Sequence, residues 1–432
     1  MRCARACGVL GFLRAGMAGA VLLPLLSLGA AAEDWPGWRG PTHQGVSAEK
    51  DLPTRWSASE NVAWKTAIPG AGLSSPIVFG DRVFVTATSP DGVRCRVVCL
   101  DRLGGKILWD KQVFEQKAAH KADRNSYATP TPATDGKRVY AVFGDGSFVA
   151  LDYEGNVVWS NRRQKFYSQH GLGTSPILYE GLLLLAWDGS SEGPDKGLGW
   201  HRPWDQGALL ALDKETGEVR WRGLRGESRI SHVVPNVLGS GSEVQIVSGA
   251  GDVVQGFDPA DGRRLWSVRS EGEGVVPSIV IGGGLVFATS GFGSPALRAI
   301  RPGTAKDPAA AEVVWESKKA VPMIPSFVYA GGLLFTINEP GVAQCLDAAT
   351  GKELWQQRIG GRHSASPIHA DGKVFFLSDG GESTILEAGP VYRLIARNSL
   401  GEKCQASPAV SRGQIFIRTE RNLYAIGASR SR

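Results

Sequence analysis

Short apolar runs separated by glycine-containing turns recur from Ser75 to the end of the chain, and few stretches follow the 3.6-residue period of a helix. Ser75-Pro76-Ile77-Val78-Phe79-Gly80-Asp81-Arg82-Val83-Phe84-Val85 is the clearest unit: an apolar run, a Gly turn, and a second apolar run. Its prolines recur at Pro76, Pro132, Pro176, Pro235, Pro277, Pro325, Pro367 and Pro408, which predicts eight copies. The first copy reads as four strands: Pro76 to Phe79, Val83 to Ala87, Arg94 to Leu100, and Lys106 to Lys111 after the Gly104-Gly105 turn. A repeat of roughly 40–60 residues made of short strands indicates a propeller, here an all-β, eight-bladed one.

A second mark follows the first in most copies. Asp101 leads to Trp109, Asp213 to Trp221, Asp258 to Trp266 and Asp347 to Trp355, always at a spacing of eight residues. Looser versions run from Asp152 to Trp159 and from Arg301 to Trp315. The Asp is expected to accept backbone N–H bonds in the turn, and the Trp to pack between neighbouring sheets. Burying such a Trp removes on the order of 200 Å² from water, an upper bound of about 5 kcal/mol, so packing suffices to explain the set. The last copy ends without an outer Trp strand, whereas Asn61 to Thr66 supplies a Trp strand with no inner partners. This N-terminal strand is therefore expected to complete the last blade and close the ring.

Arg2 and Arg5, the apolar run Ala15 to Leu28, and Ala30-Ala31-Ala32 before Glu33 read as a secretory signal over residues 1–32. Residues 33–59 then form a leader segment and 60–432 the propeller. No integral span is expected once the signal is cleaved, and Cys3 and Cys7 precede the apolar run, where no lipidation cysteine would stand. Export to the periplasm or medium follows, with the chain expected to be monomeric. Removing the three arginines of residues 1–32 lowers the formal charge from +6 to +3, with both signs mixed along the chain, which disfavours nucleic acid as a partner. Cys95, Cys99, Cys345 and Cys404 remain after export; two of them stand in equivalent blade positions, too far apart to bond, and are read as buried apolar residues.

Ala211-Leu212-Asp213-Lys214-Glu215-Thr216-Gly217-Glu218-Val219-Arg220-Trp221 resembles the Ala-x-Asp-x-x-Thr-Gly-x-x-x-Trp motif of bacterial propellers named for pyrroloquinoline quinone (PQQ). The resemblance covers residues 35–427. Trp35-Pro36-Gly37-Trp38-Arg39-Gly40-Pro41, Asn125 to Pro130, Ile385 to Pro390 and Arg418 to Tyr424 are similar to a group of secreted PQQ-like repeat proteins. Two better-known relatives imply different roles. Quinoprotein dehydrogenases bind PQQ with calcium on the propeller axis; their vicinal cysteine pair is missing here, and no calcium set can be matched. The outer-membrane assembly-factor lipoprotein is a scaffold without a cofactor; its lipobox is missing here. Fold membership does not confer a site.

Candidate chemistry falls in the loops of the funnel face. His170, His232 and His363 each precede the proline that opens a blade, with Arg229 and Arg362 nearby. A long insertion in blade 3 carries Asp188, Trp200, His201 and Trp204, and the loop Glu115 to Tyr127 carries Arg124. One reading has these groups converging on an anionic or sugar-like ligand with Trp200 or Trp204 stacked on it. The other has each His satisfying local backbone groups. No spacing matches a metal set, and no nucleophile elbow, zinc-protease helix or phosphate loop is present. The expected function is a non-catalytic binding or scaffolding protein that takes a protein or saccharide at its funnel face. The alternatives are a PQQ- and calcium-dependent oxidoreductase of alcohols or sugars, and a carbohydrate-binding or carbohydrate-cleaving propeller.

Overall fold

The computed structural model describes residues 33–117, 120–193 and 197–428, and these are almost wholly strands and turns. The expected signal, residues 1–32, lies outside the described residues. Eight sheets form the eight blades of a β-propeller. Blade 1 consists of Ile77–Phe79, Arg82–Thr88, Arg94–Asp101 and Ile107–Glu115, paired antiparallel in chain order. Its two central strands are mostly buried because each blade packs a neighbour on either face, so their sequence reads as continuous apolar runs rather than alternation. Among the described residues no helix is long and apolar enough to cross a membrane.

The ring closes as the sequence suggests. Val62–Ala67 lies antiparallel to Asn422–Ile426, with Val62 opposite Ile426 and Ala67 opposite Asn422, and supplies the outer strand of blade 8. In blades 5 and 6 the proline mark is displaced: the first strands begin at Val280 and Val328, so Ile279 and Phe327 stand where Pro76 stands in blade 1.

The Asp–Gly–Trp spacing is a device for docking neighbours. Trp109, Trp159, Trp221, Trp315 and Trp355 each donate the indole N–H to a carbonyl in the next blade's turn, at Tyr153, Lys214, Pro259, Ala348 and Gly389, over 2.8–3.0 Å. The indole face lies on the turn glycine: a Cβ on Gly217, at φ +74°, would stand 2.4 Å from Trp159. Asp213 pins that turn by accepting the N–H groups of Glu215 and Thr216. A one-residue bulge just before each Trp re-aims it toward the neighbour. Blade 4 differs, since Trp266 reaches blade 5 through Gln245, which it meets at 2.6 Å and which in turn donates to the Gly303 carbonyl. In blade 7 the Trp place is held by Ala396, and Leu52 and Trp56 join the same core cluster, Trp56 donating its amide to Asn398.

Residues 33–49, the first part of the segment 33–59 set apart above as a leader, thread the middle of the ring. Trp35 exchanges backbone bonds with Val78 of blade 1, and Pro36 accepts from Thr134 of blade 2. Trp38 packs on a cluster shared by blades 3 and 4. Gln44 accepts from Ile281 of blade 5, and the Arg39 guanidinium donates to the Phe327 carbonyl of blade 6 at 2.6 Å. Val46–Ser47 adds a parallel strand to His369–Ala370, on the inner strand of blade 7. Glu49 accepts the amides of Arg412 and Gly413 in blade 8. These partners lie mainly on the halves of the inner strands remote from the funnel, so the segment plugs the channel from that side. Cys95, Cys99, Cys345 and Cys404 are buried free thiols.

Candidate functional site

Each blade's first strand starts at the funnel face, and the residue two positions before that start lines the axis. These residues are Ser75, Thr131, Ser175, Val234, Ser278, Ser326, Ser366 and Ser407. Six of their hydroxyls accept the backbone N–H of the matching residue one blade earlier. Thus Thr131 accepts from Ser75, Ser175 from Thr131, Ser278 from Val234, Ser326 from Ser278, Ser366 from Ser326 and Ser407 from Ser366, all at 2.8–2.9 Å. Val234 has no hydroxyl and interrupts the belt between blades 3 and 4. Between blades 8 and 1, Arg418 substitutes, donating to Ser74 and to the Thr86 carbonyl. Accepting through oxygen leaves each belt hydroxyl its own proton to offer.

Above the belt is an axial cavity of about 520 Å³, to which all eight inter-blade loops contribute. Trp38, carried up by the plug, lines its base, and Trp200 from the blade 3 insertion forms part of one wall. Behind Trp38 the Arg39 guanidinium lies 5.7 Å from the indole, buried, with Nε and Nη1 unpartnered, and desolvation lowers its pKa to about 9.

Four of the expected residues meet here: His170, His232, Trp200 and Arg124 all line the cavity. The His170 ring packs edge-on against Trp200 at 5.1 Å and lies 6.2 Å from His232. The His232 ring rests on Gly173, where a Cβ would stand 2.8 Å from Nδ1, and that nitrogen is buried without a partner. Burial, helped by His170, lowers the His232 pKa to about 4, so the ring is neutral at physiological pH. His201 stacks on Trp200 at 4.0 Å and faces Glu273 at 3.4 Å. Arg229 approaches the same carboxylate at 3.9 Å and donates to the Gly272 carbonyl.

The remaining expected residues lie elsewhere. Asp188 is buried, bound to Arg225 at 2.6 Å and to Ser231 at 2.6 Å, and anchors the insertion. Trp204 is bridged to Ser228 and faces a second cleft rather than the axis. His363 is buried beside blade 6, where burial lowers its pKa to about 4, and Arg362 pairs with Asp379 at 3.4 Å. The three histidines therefore do not converge as a trio. Trp38, Glu273 and the belt hydroxyls were not singled out from sequence, although the Ser or Thr before most of the marking prolines was a visible signal.

Calcium takes six to eight oxygens, usually several of them carboxylate. Among the described residues Glu273 is the one acid lining the cavity, and no group of three or more His, Cys, Asp or Glu is placed to hold a metal. These donors do not fit a calcium-held quinone, even though Trp38 offers a planar surface.

The family model described as outer membrane protein assembly factor BamB matches residues 54–192, 203–306 and 304–389. A quinohemoprotein alcohol dehydrogenase, ADH IIB, of Pseudomonas putida is 26% identical over 183 residues, 41% of this chain and 24% of its own. Outer membrane protein assembly factor BamB of Bordetella pertussis is 26% identical over 270 residues, 58% of this chain and 59% of its own. The chain thus spans less than two thirds of either relative. The crystal structure of BamB from Moraxella catarrhalis superposes with a TM-score of 0.59 at 13% identity, covering 86% of this chain and 98% of that one, a likeness of fold. With the repeat, the ring and the family match in agreement, the chain belongs to the PQQ-repeat propeller family represented by BamB.

Proposed function

We propose that this chain is an exported, non-catalytic binding or scaffolding protein that takes its ligand or partner at the funnel face. The observation that carries this reading is the axial cavity itself, with Trp38 at its base, walled by all eight blades and lined, among the described residues, by a single carboxylate. Its other polar groups are suited to holding rather than reacting. The belt hydroxyls are engaged by backbone amides, and His170 and His232 have lowered pKa values. Family membership supports a propeller with either a scaffold or a quinoprotein relative, and the cavity chemistry favours the former. Trp200 on the wall favours a saccharide as the small-ligand form of this reading.

Calorimetric titration of the protein lacking residues 1–32 with PQQ, with and without calcium, tests it. No heat from a protein that shows a cooperative melting transition is expected. Tight one-to-one binding that requires calcium overturns the reading in favour of an oxidoreductase. Any ligand or partner found at the funnel should bind at least about tenfold more weakly to His170→Ala or Arg124→Ala, equivalent to about 1.4 kcal/mol.

A further inference from the structure

The blade 3 insertion divides two cavities. Trp200 faces the axis, whereas Trp204 faces a cleft of about 650 Å³ between blades 2 and 3, off the axis. Four cations line this cleft: Lys117, Arg162, Lys165 and Arg222. Among the described residues none of the four has a carboxylate within ion-pair distance. Arg162 donates to the Glu115 carbonyl and lies over the Phe114 ring at 5.0 Å, and Arg222 reaches the Gln164 amide oxygen at 3.4 Å. Arg163, the chain neighbour of Arg162, is by contrast paired with Glu218.

The acids of the cleft do not balance it. Asp145 accepts the amide and the hydroxyl of Ser147 at 2.9 Å each, and among the described residues Glu192 is the other lining carboxylate, two acids against four cations. The walls are aromatic. Trp187 is buried at the back, stacked on Phe148 at 5.8 Å and edge-on to Phe166 at 5.0 Å, while Tyr167 and Trp204 are half-buried and face the opening. The backbone at Trp204 is fixed by two bonds with Ser228, at 2.8 and 3.0 Å.

We propose that this cleft binds a carboxylated saccharide, its sugar faces resting on Trp204 and Tyr167 and its carboxylates met by Arg222, Lys165, Arg162 and Lys117. Aromatic faces suit the apolar side of a pyranose, and guanidinium groups suit planar carboxylates. Aromatic walls beside unpaired cations favour a sugar acid over an acidic peptide, which would need backbone donors and acceptors in register.

The test is calorimetry of the protein lacking residues 1–32 with short oligogalacturonates. Neutral malto-oligosaccharides of equal length and poly-glutamate serve as comparison ligands. Saturable oligogalacturonate binding is expected, weakening as salt rises and absent for the neutral chain. Lys165→Ala with Arg222→Ala should weaken it at least about tenfold, and Trp204→Ala by a similar factor, with melting temperature unchanged. Arg163→Ala, at the ion-paired neighbour, should leave it unaltered. Equal binding of the neutral chain, tighter binding of poly-glutamate, equal loss with Arg163→Ala, or no binding by a folded protein overturns the proposal. His170→Ala and Arg124→Ala alter the funnel alone, so a failure here is separable from a failure of the funnel reading.

Discussion

Single residues in this chain act mostly by what they do at a blade junction. Ser278 illustrates it. Its hydroxyl accepts the Val234 amide, and its own amide donates to Ser326, in a belt that is almost closed to solvent. Ser278→Ala leaves the Val234 N–H buried without an acceptor, and a loss of about 1–3 kcal/mol is expected, read as a lower urea midpoint with unchanged slope. Gly217 is the second case. Its φ of +74° and the 2.4 Å approach to Trp159 leave no room for a methyl group, so Gly217→Ala should destabilise by at least about 1 kcal/mol by the same measurement. Both positions stand in repeated motifs, and the Gly was readable because its turn needs that conformation. His232 was readable only as a residue type, because which of the three histidines reach the axis depends on loop paths that no period governs.

At the scale of elements, the outer strand Val62–Ala67 and the plug 33–49 do opposite things with the N-terminal region. The strand closes the ring from outside and follows the repeat, so its partner at Asn422–Ile426 could be inferred from a missing piece at the other end of the chain. Deleting residues 60–66 should leave Asn422–Ile426 as an open edge and give an aggregating protein with a lower melting temperature. A monomer with an unchanged melting temperature would refute the closure. The plug has no counterpart in any blade. Its bonds join residues far apart in the chain, as with Arg39 and Phe327, and no spacing announces them. The blade 3 insertion was legible as long and aromatic, but not its division of Trp200 to the axis and Trp204 to the side cleft.

At the scale of the whole molecule, acid is expected to act through several buried histidines at once. His43, His232 and His363 have pKa values lowered to about 4 by burial, against about 6.5 in the unfolded chain. Between those values the unfolded state binds more protons, so their contribution is complete above pH ~6.5 and is lost as pH falls toward 4. The melting temperature is therefore expected to drop across that window, and His232→Gln together with His363→Gln should flatten the drop. An unchanged slope in the double variant would show that these two rings do not govern stability in that window; Glu402, with its pKa lowered to about 2, acts only at a lower pH.

By itself the sequence determined the all-β class, the eight blades, the closure and the docking role of the Trp set. Each of these rests on contacts between neighbours at a constant period, and such contacts write themselves into the chain at that period. Only the tertiary structure decided that residues 33–49 fill the channel, that Trp38 and Glu273 join His170 and His232, and that four cations share a second cleft. Those groups come from non-repeating loops and one threaded segment, and their meeting depends on the path of the backbone around the axis rather than on any spacing along it.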